Sequence, residues 1–280
     1  MNHGLAGVGR IPAGLYDRQG EGRDTLGGIF SSMAVDASSL VYEDGQIRGV
    51  LWGLPDRGFG DGATDYRPRV QKLGFAITPF LGGGTAPGQG QVLLTNLATV
   101  VFTYGGTNFT GFDGGSTNAP ILPQSPAGSV GGGKLSLDPE GLVLAPDGGF
   151  WVSDEYGPVL YRFNALGELQ ETILPPPALL PRNAAGNLNF AGATAPASGR
   201  RNNRGLEGLS ITPDGRRLVA VLQSPTIQDG GAGNLGRMTR VLQFDIADGS
   251  ATRGQVVAEH LYQLTLNGTP RPTGTRPSAS

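Results

Sequence analysis

The chain has 280 residues, a formal net charge of −2 and 38% hydrophobic residues. That is enough for one large β domain or two ordinary ones. The near-neutral balance offers no field for nucleic acid or anionic lipid, and no stretch reaches the roughly 20 apolar residues of a membrane-spanning helix. With no cysteine at all, disulfides, thiolate catalysis and Cys-ligated zinc are excluded.

In chain order, residues 1–25 read as an N-terminal extension, and residues 1–10 lack the basic-then-apolar order of a signal peptide. The 48 glycines and 21 prolines break the rest into short apolar runs, which points to many strands joined by tight turns and to little helix. Residues 32–35, 49–52, 72–77 and 91–104 read as strands, with a Gly-rich link at 82–90. A Pro/Gly/Ser-rich loop is expected at 119–133.

A clear pattern follows. Residues 140–144 run into the turn Ala145-Pro146-Asp147-Gly148, and strands at 150–154, 160–163 and 169–173 complete a four-stranded antiparallel unit. The pattern returns at 207–211, with the turn Thr212-Pro213-Asp214-Gly215 and strands at 218–222 and 240–245; the Pro-rich insertion 174–203 separates the two copies. A weaker copy spans 29–77. Repeats of four strands are the signature of propeller blades. The expected fold is therefore an all-β propeller domain over 26–268. The Pro/Thr/Ser/Gly tail at 269–280 cannot bury a core.

Blade geometry also predicts where a site lies. Antiparallel order puts the start of a blade's first strand and the end of its second at one mouth of the channel. Those positions hold Glu140 with Asp154 and Glu155, then Arg204 and Glu207 with Gln223 and Ser224, then Ser31 and Ser32 with Asp56 and Arg57. Clustered carboxylates repel one another and tend to hold a cation or share a proton. Oxygen ligands favour calcium, so Asp56, Glu140, Asp154, Glu155 and Glu207 are the candidate metal ligands. Arg57 and Arg204 offer forked donors for a small anionic substrate. Glu140 and Glu207 fit equally well a role in bonding the backbone of the neighbouring blade. Asp147 and Asp214 belong to turns and receive no chemistry. Trp151 and Tyr161 read as blade core.

Other chemistries fail on the residues. His3 and His260 lie near the chain ends, and there is no Gly-x-Ser-x-Gly elbow, so a serine triad is not expected. Gly128 to Lys134 matches a phosphate-loop spacing but is followed by Leu135, in no strand-then-helix context. No catalytic side chain is named by the sequence.

Several blocks carry a family resemblance: Asp138-Pro139-Glu140-Gly141-Leu142, Phe150-Trp151-Val152-Ser153-Asp154-Glu155-Tyr156-Gly157-Pro158, and Tyr161-Arg162-Phe163. Asn203-Arg204-Gly205-Leu206-Glu207-Gly208-Leu209, Leu222-Gln223-Ser224-Pro225, Phe109-Thr110-Gly111-Phe112-Asp113 and Leu54-Pro55-Asp56-Arg57-Gly58 add to them. Together they resemble the phytase-like family, also called "esterase-like activity of phytase". The resemblance implies a β-propeller, an exported (periplasmic or secreted) bacterial protein, and phosphoester or ester hydrolysis. Pro55 departs from the Ser of the early family segment. The family's further strands fade after Val257-Ala258-Glu259, which implies an incomplete propeller whose open edges need a partner protein. The rival readings are a non-catalytic binding propeller for protein or glycan, with 174–203 as its binding loop, and an inactive truncated paralogue.

Overall fold

A computed structural model of the chain describes residues 5–12, 14–17, 19, 26, 28–82, 90–115, 122–192, 194–230 and 236–264. The tail expected at 269–280 and most of the link at 82–90 lie outside them. The described fold is all-β. The first sheet has the order β1 (Ser32–Glu43), β2 (Gln46–Leu54), β3 (Arg69–Ile77) and β4 (Val92–Val101). A small ribbon, β5 (Thr103–Tyr104) and β6 (Thr107–Asn108), follows it. The second sheet joins β7 (Pro139–Leu144), β8 (Phe150–Asp154), β9 (Leu160–Phe163) and β10 (Leu169–Ile173). The third joins β11 (Leu206–Ile211), β12 (Arg217–Leu222), β13 (Met238–Asp245) and β14 (Val256–Gln263). All neighbouring pairs are antiparallel. Among the described residues the helical content is one short turn, α1 (Ile227–Gly230), and a single 3-10 turn at Pro177–Leu179. Among the described residues no helix is long and apolar enough to cross a membrane.

The second sheet reproduces the predicted unit strand for strand. In the first, the fourth strand is β4, beyond the limit drawn at residue 77. β14 completes the third sheet although its sequence, VVAEHLYQ, is half polar. Pairing with β13, from Met238↔Gln263 to Phe244↔Val256, decides that strand.

The sheets stand side by side, with their first strands in contact: β1 lies against β7, and β7 against β11. The middle sheet is thus covered on both faces. This explains why β8, FWVSD, is buried at every position and reads as a continuous run rather than an alternation. On one side Phe150, Val152, Tyr161 and Phe163 meet Leu54 and Val70 of the first sheet and Phe102, which follows β4. Phe102 stacks on Phe163 with ring centroids 4.1 Å apart, and Trp52 meets Phe150 edge-on at 4.9 Å. On the other side Val143, Trp151 and Leu160 meet Leu218, Leu222, Leu242 and Phe244 of the third. Each such side chain contributes on the order of 1.5–3 kcal/mol through burial.

The outer face of the first sheet, with Leu51, Leu73 and Phe75, is covered by Ile11, Leu26 and Ile29 of the N-terminal segment. Of these, Ile11 lies within the residues read as an extension. The turn aspartates behave as their sequence predicts: Asp147 accepts the amide of Gly149 and Asp214 that of Arg216.

Candidate functional site

Because the first strands adjoin, the strand ends singled out in the sequence converge. Ser32 pairs with Leu54, Pro139 with Asp154, and Leu206 with Leu222, which sets the acidic loops of three sheets next to one another. Contacts between sheets fix the arrangement. Ser31 Oγ donates to Glu140 Oε2 at 2.5 Å, and the Leu142 amide donates to Ser32 Oγ at 3.1 Å. Where β11 begins, a Cβ on Gly205 would stand 2.2 Å from the carbonyl oxygen of Glu155, so only glycine lets the third sheet approach the acidic loop of the second.

At the centre stands Asp138, fully buried, with neither carboxylate oxygen hydrogen-bonded. Its oxygens and those of Asp56 and Glu140 supply three ligand atoms that all lie within 4.8 Å of one another. Arg57 approaches from the first sheet, with Nη1 3.5 Å from Asp138 Oδ2 and 3.5 Å from the Tyr156 hydroxyl. It also pairs with Asp61, at 2.8 Å from Nη2 on the exposed rim, and with Asp56, at 3.9 Å from Nε.

Glu155 is buried with Oε1 unpartnered, and Glu207 presents a buried, unpartnered Oε2 from β11. Buried acceptors without a hydrogen bond are costly, and the charges of Arg200 and Arg57 offset part of that cost at Glu155.

The electrostatics follow from burial and crowding. Burial, then Asp56 and Glu155, hold the Asp138 pKa well above the carboxylate range, against Arg57. Burial, then Asp56 and Glu207, push Glu140 up to about 9. Burial and then Glu207 raise Glu155, and burial raises Glu207. For Arg57, burial works against the charge, but Asp138, Tyr156 and Asp61 more than offset it and its pKa rises.

Two further expected site residues lie in this neighbourhood. Asp154 accepts the amides of Asp138 at 2.9 Å, Tyr156 at 3.2 Å and Gly157 at 2.8 Å, so its oxygens bind the acidic loop together. Burial still lifts its pKa to about 7, against those three amides. Arg204 forms a short antiparallel bridge with Arg201, whose pKa its charge lowers after burial.

The buried cation that this segment places near the acids is Arg200, which the sequence reading missed. Its Nε and Nη2 donate to the Tyr156 carbonyl at 2.9 and 2.6 Å, and its charge bears on Glu155, Asp154, Asp113 and Asp138. Asp113 also feels Arg57 and Arg200, and accepts the Gly192 amide. Asp138, Tyr156 and Asp113 stood inside the quoted sequence blocks without an assigned role. The signal for Asp138 was its place immediately before the first strand of the clearest unit.

The family described as "Phytase-like: Esterase-like activity of phytase" matches residues 28–278. An "uncharacterized secreted protein" of Arthroderma benhamiae, a fungus, is 36% identical over 295 residues, covering 94% of this chain and 56% of that protein. The chain thus spans about half the length of this curated relative. Among solved structures, a "putative 6-phosphogluconolactonase" from Bacteroides uniformis is matched at 14% identity and a TM-score of 0.30, over 82% of this chain and 56% of that one. With its family blocks on the convergent strand ends and the match running through nearly its whole length, the chain belongs to the phytase-like family.

Proposed function

We propose that the convergent loops form the site of a hydrolase acting on a phosphate ester or related ester, with a divalent cation of the calcium type held by Asp56, Asp138 and Glu140. One observation carries the reading: a fully buried carboxylate with no hydrogen bond, within 4.8 Å of two further carboxyl groups. Like charges so close require a shared proton or a cation, and an all-oxygen donor set suits calcium. A bound cation would polarise the ester oxygen and lower the pKa of a water.

The chain's own residues do the rest. Arg57 binds the anionic group, exchanging its exposed partner Asp61 for substrate oxygen. Glu155, buried and lifted in pKa, is placed to hold or deliver a proton. Arg200 and Asp154 keep the acidic loop in shape.

Packing of successive first strands supports the three sheets as blades of a propeller. The family and the secreted relative support an extracytoplasmic location. A non-catalytic binding module is the second reading, favoured by the exposed apolar side chains Met33, Val35 and Leu40 on β1. Calorimetric titration with calcium, followed by assays on nitrophenyl phosphate and acetate with and without chelator, tests both. Calcium binding with chelator-sensitive turnover supports the hydrolase. Calcium binding without turnover moves the reading to the binding module, and a chain that binds no calcium loses the cation assignment.

A further inference from the structure

The loop that carries Asp56 and Arg57 leans on one aromatic ring. A Cβ on Gly58 would lie 2.3 Å from the Tyr66 ring, so the backbone there is pressed onto it. Phe59 meets the same ring edge-on with centroids 5.7 Å apart. The carbonyl of Tyr66 accepts the Gly111 amide at 2.7 Å, and the Gly111 carbonyl in turn accepts the Tyr156 hydroxyl that contacts Arg57.

Tyr66 is itself held from behind. The guanidinium of Arg69 lies over its ring, 4.6 Å from the centroid. Arg69 is fully buried and pairs through Nη1 with Asp17 Oδ2 at 2.7 Å. The same carboxylate oxygen accepts Gln71 Nε2 at 3.0 Å. Asp17 comes from the N-terminal segment, which also ties to the β3–β4 end of the sheet: the Phe80 amide donates to Ala6 O at 2.6 Å and the Gly90 amide to Val8 O at 3.0 Å.

We infer that Asp17 is a positioning residue for the candidate site, acting through Arg69 and Tyr66 to hold the loop that presents Asp56 and Arg57. An ion pair buried at both ends fixes Arg69 in one place. A cation fixed over a ring fixes the ring. The ring is the surface on which the Gly58 backbone rests. This strap runs from Asp17 through Arg69 and the Tyr66 ring to the Gly58 backbone, and the register of two site residues depends on it. The inference rests on the reading of Asp56 and Arg57 as groups that hold cation and anion.

Amide hydrogen exchange followed by mass spectrometry tests it on the full chain, without added ligand. Asp17→Asn weakens the pair and Tyr66→Leu removes the ring while leaving the pair. The amides to follow are those of Asp61 and Ala63, which donate to Gly58 and Gly60 within the loop. Both variants should speed exchange over residues 57–63 while residues 206–222 of the third sheet stay as in the parent chain. A structural role confined to the strap would move the strap in Asp17→Asn and leave 57–63 unchanged in both variants; that result overturns the inference, as does equal loosening of all three sheets.

Calcium titration of the same proteins is the second arm. A loss of about tenfold in affinity is expected, well inside the hundredfold that an ångström-scale misplacement can cost. If the parent chain binds no calcium while exchange over 57–63 still rises, the cation assignment fails and the positioning role stands. If calcium binds the parent and both variants alike, with unchanged exchange, the positioning role fails and the cation assignment stands.

Discussion

Replacing Asp138 by Asn separates stability from function at one atom. In the cation-free protein at neutral pH, Asp138 ionises only against burial and the charges of Asp56 and Glu155. Asn removes that repulsion at nearly constant volume, and its amide can donate to the facing Asp56. Relief of a buried, unsatisfied charge is worth about 1–3 kcal/mol. Against this stands the pair with Arg57 at 3.5 Å; Arg57 keeps Asp61 and Asp56, so it is not left as an uncompensated charge, and the loss is about 1 kcal/mol. The net expectation is a gain of about 1–2 kcal/mol, or a melting midpoint raised by roughly 2–8 °C for a domain of this size.

Calcium should reverse the order. At one hundred times Kd a ligand of the folded state adds about 2.7 kcal/mol, so the parent chain should rise by roughly 5–10 °C, while Asp138→Asn rises little. Differential scanning calorimetry in chelator and in calcium reads all four midpoints. A variant that melts below the parent in chelator and keeps the full calcium response would refute the reasoning and make Asp138 the counter-ion of Arg57.

Three further outcomes are expected. Glu140 is lifted to about 9 from the ordinary glutamate value of 4.5, chiefly by burial and then by Asp56 and Glu207. The folded state therefore holds a proton that the unfolded chain releases, so cation-free stability is full below about pH 4.5 and falls as pH rises towards 9; melts from pH 5 to 9 should show that decline, and calcium should flatten it. Phe150→Ala removes a ring that contacts Trp52 and Phe102 at the joint of two sheets, and should cost about 3–5 kcal/mol in urea unfolding without altering calcium affinity in the folded fraction. Arg200→Lys replaces a fork that sends two donors to the Tyr156 carbonyl with a point charge; stability should drop by about 1–3 kcal/mol, and an unchanged midpoint would show that the fork does not hold the acidic loop.

Much of the architecture was legible in the sequence because it is local. The turn Pro146-Asp147-Gly148 and the apolar runs on either side of it specify β7 and β8, and the same grammar at 213–215 specifies β11 and β12. Antiparallel order then fixed which strand ends must be near one another, so Glu140, Glu155, Glu207, Asp56 and Arg57 could be named together.

What lay beyond reach was decided between sheets. Whether an acid holds an ion or a loop depends on which amides point at it, and only the folded loop turns three amides onto Asp154 while leaving Asp138 with none. Arg200 is a charge in a Gly/Arg/Asn run until the chain path buries it against the Tyr156 carbonyl. Asp17, in a segment with no strand pattern, gained its role from Arg69, the buried charge of the first sheet with which it pairs. Sequence spacing sets which residues are neighbours along a strand pair. Desolvation and the company of other charges, which set what a residue does, exist only after distant segments have packed.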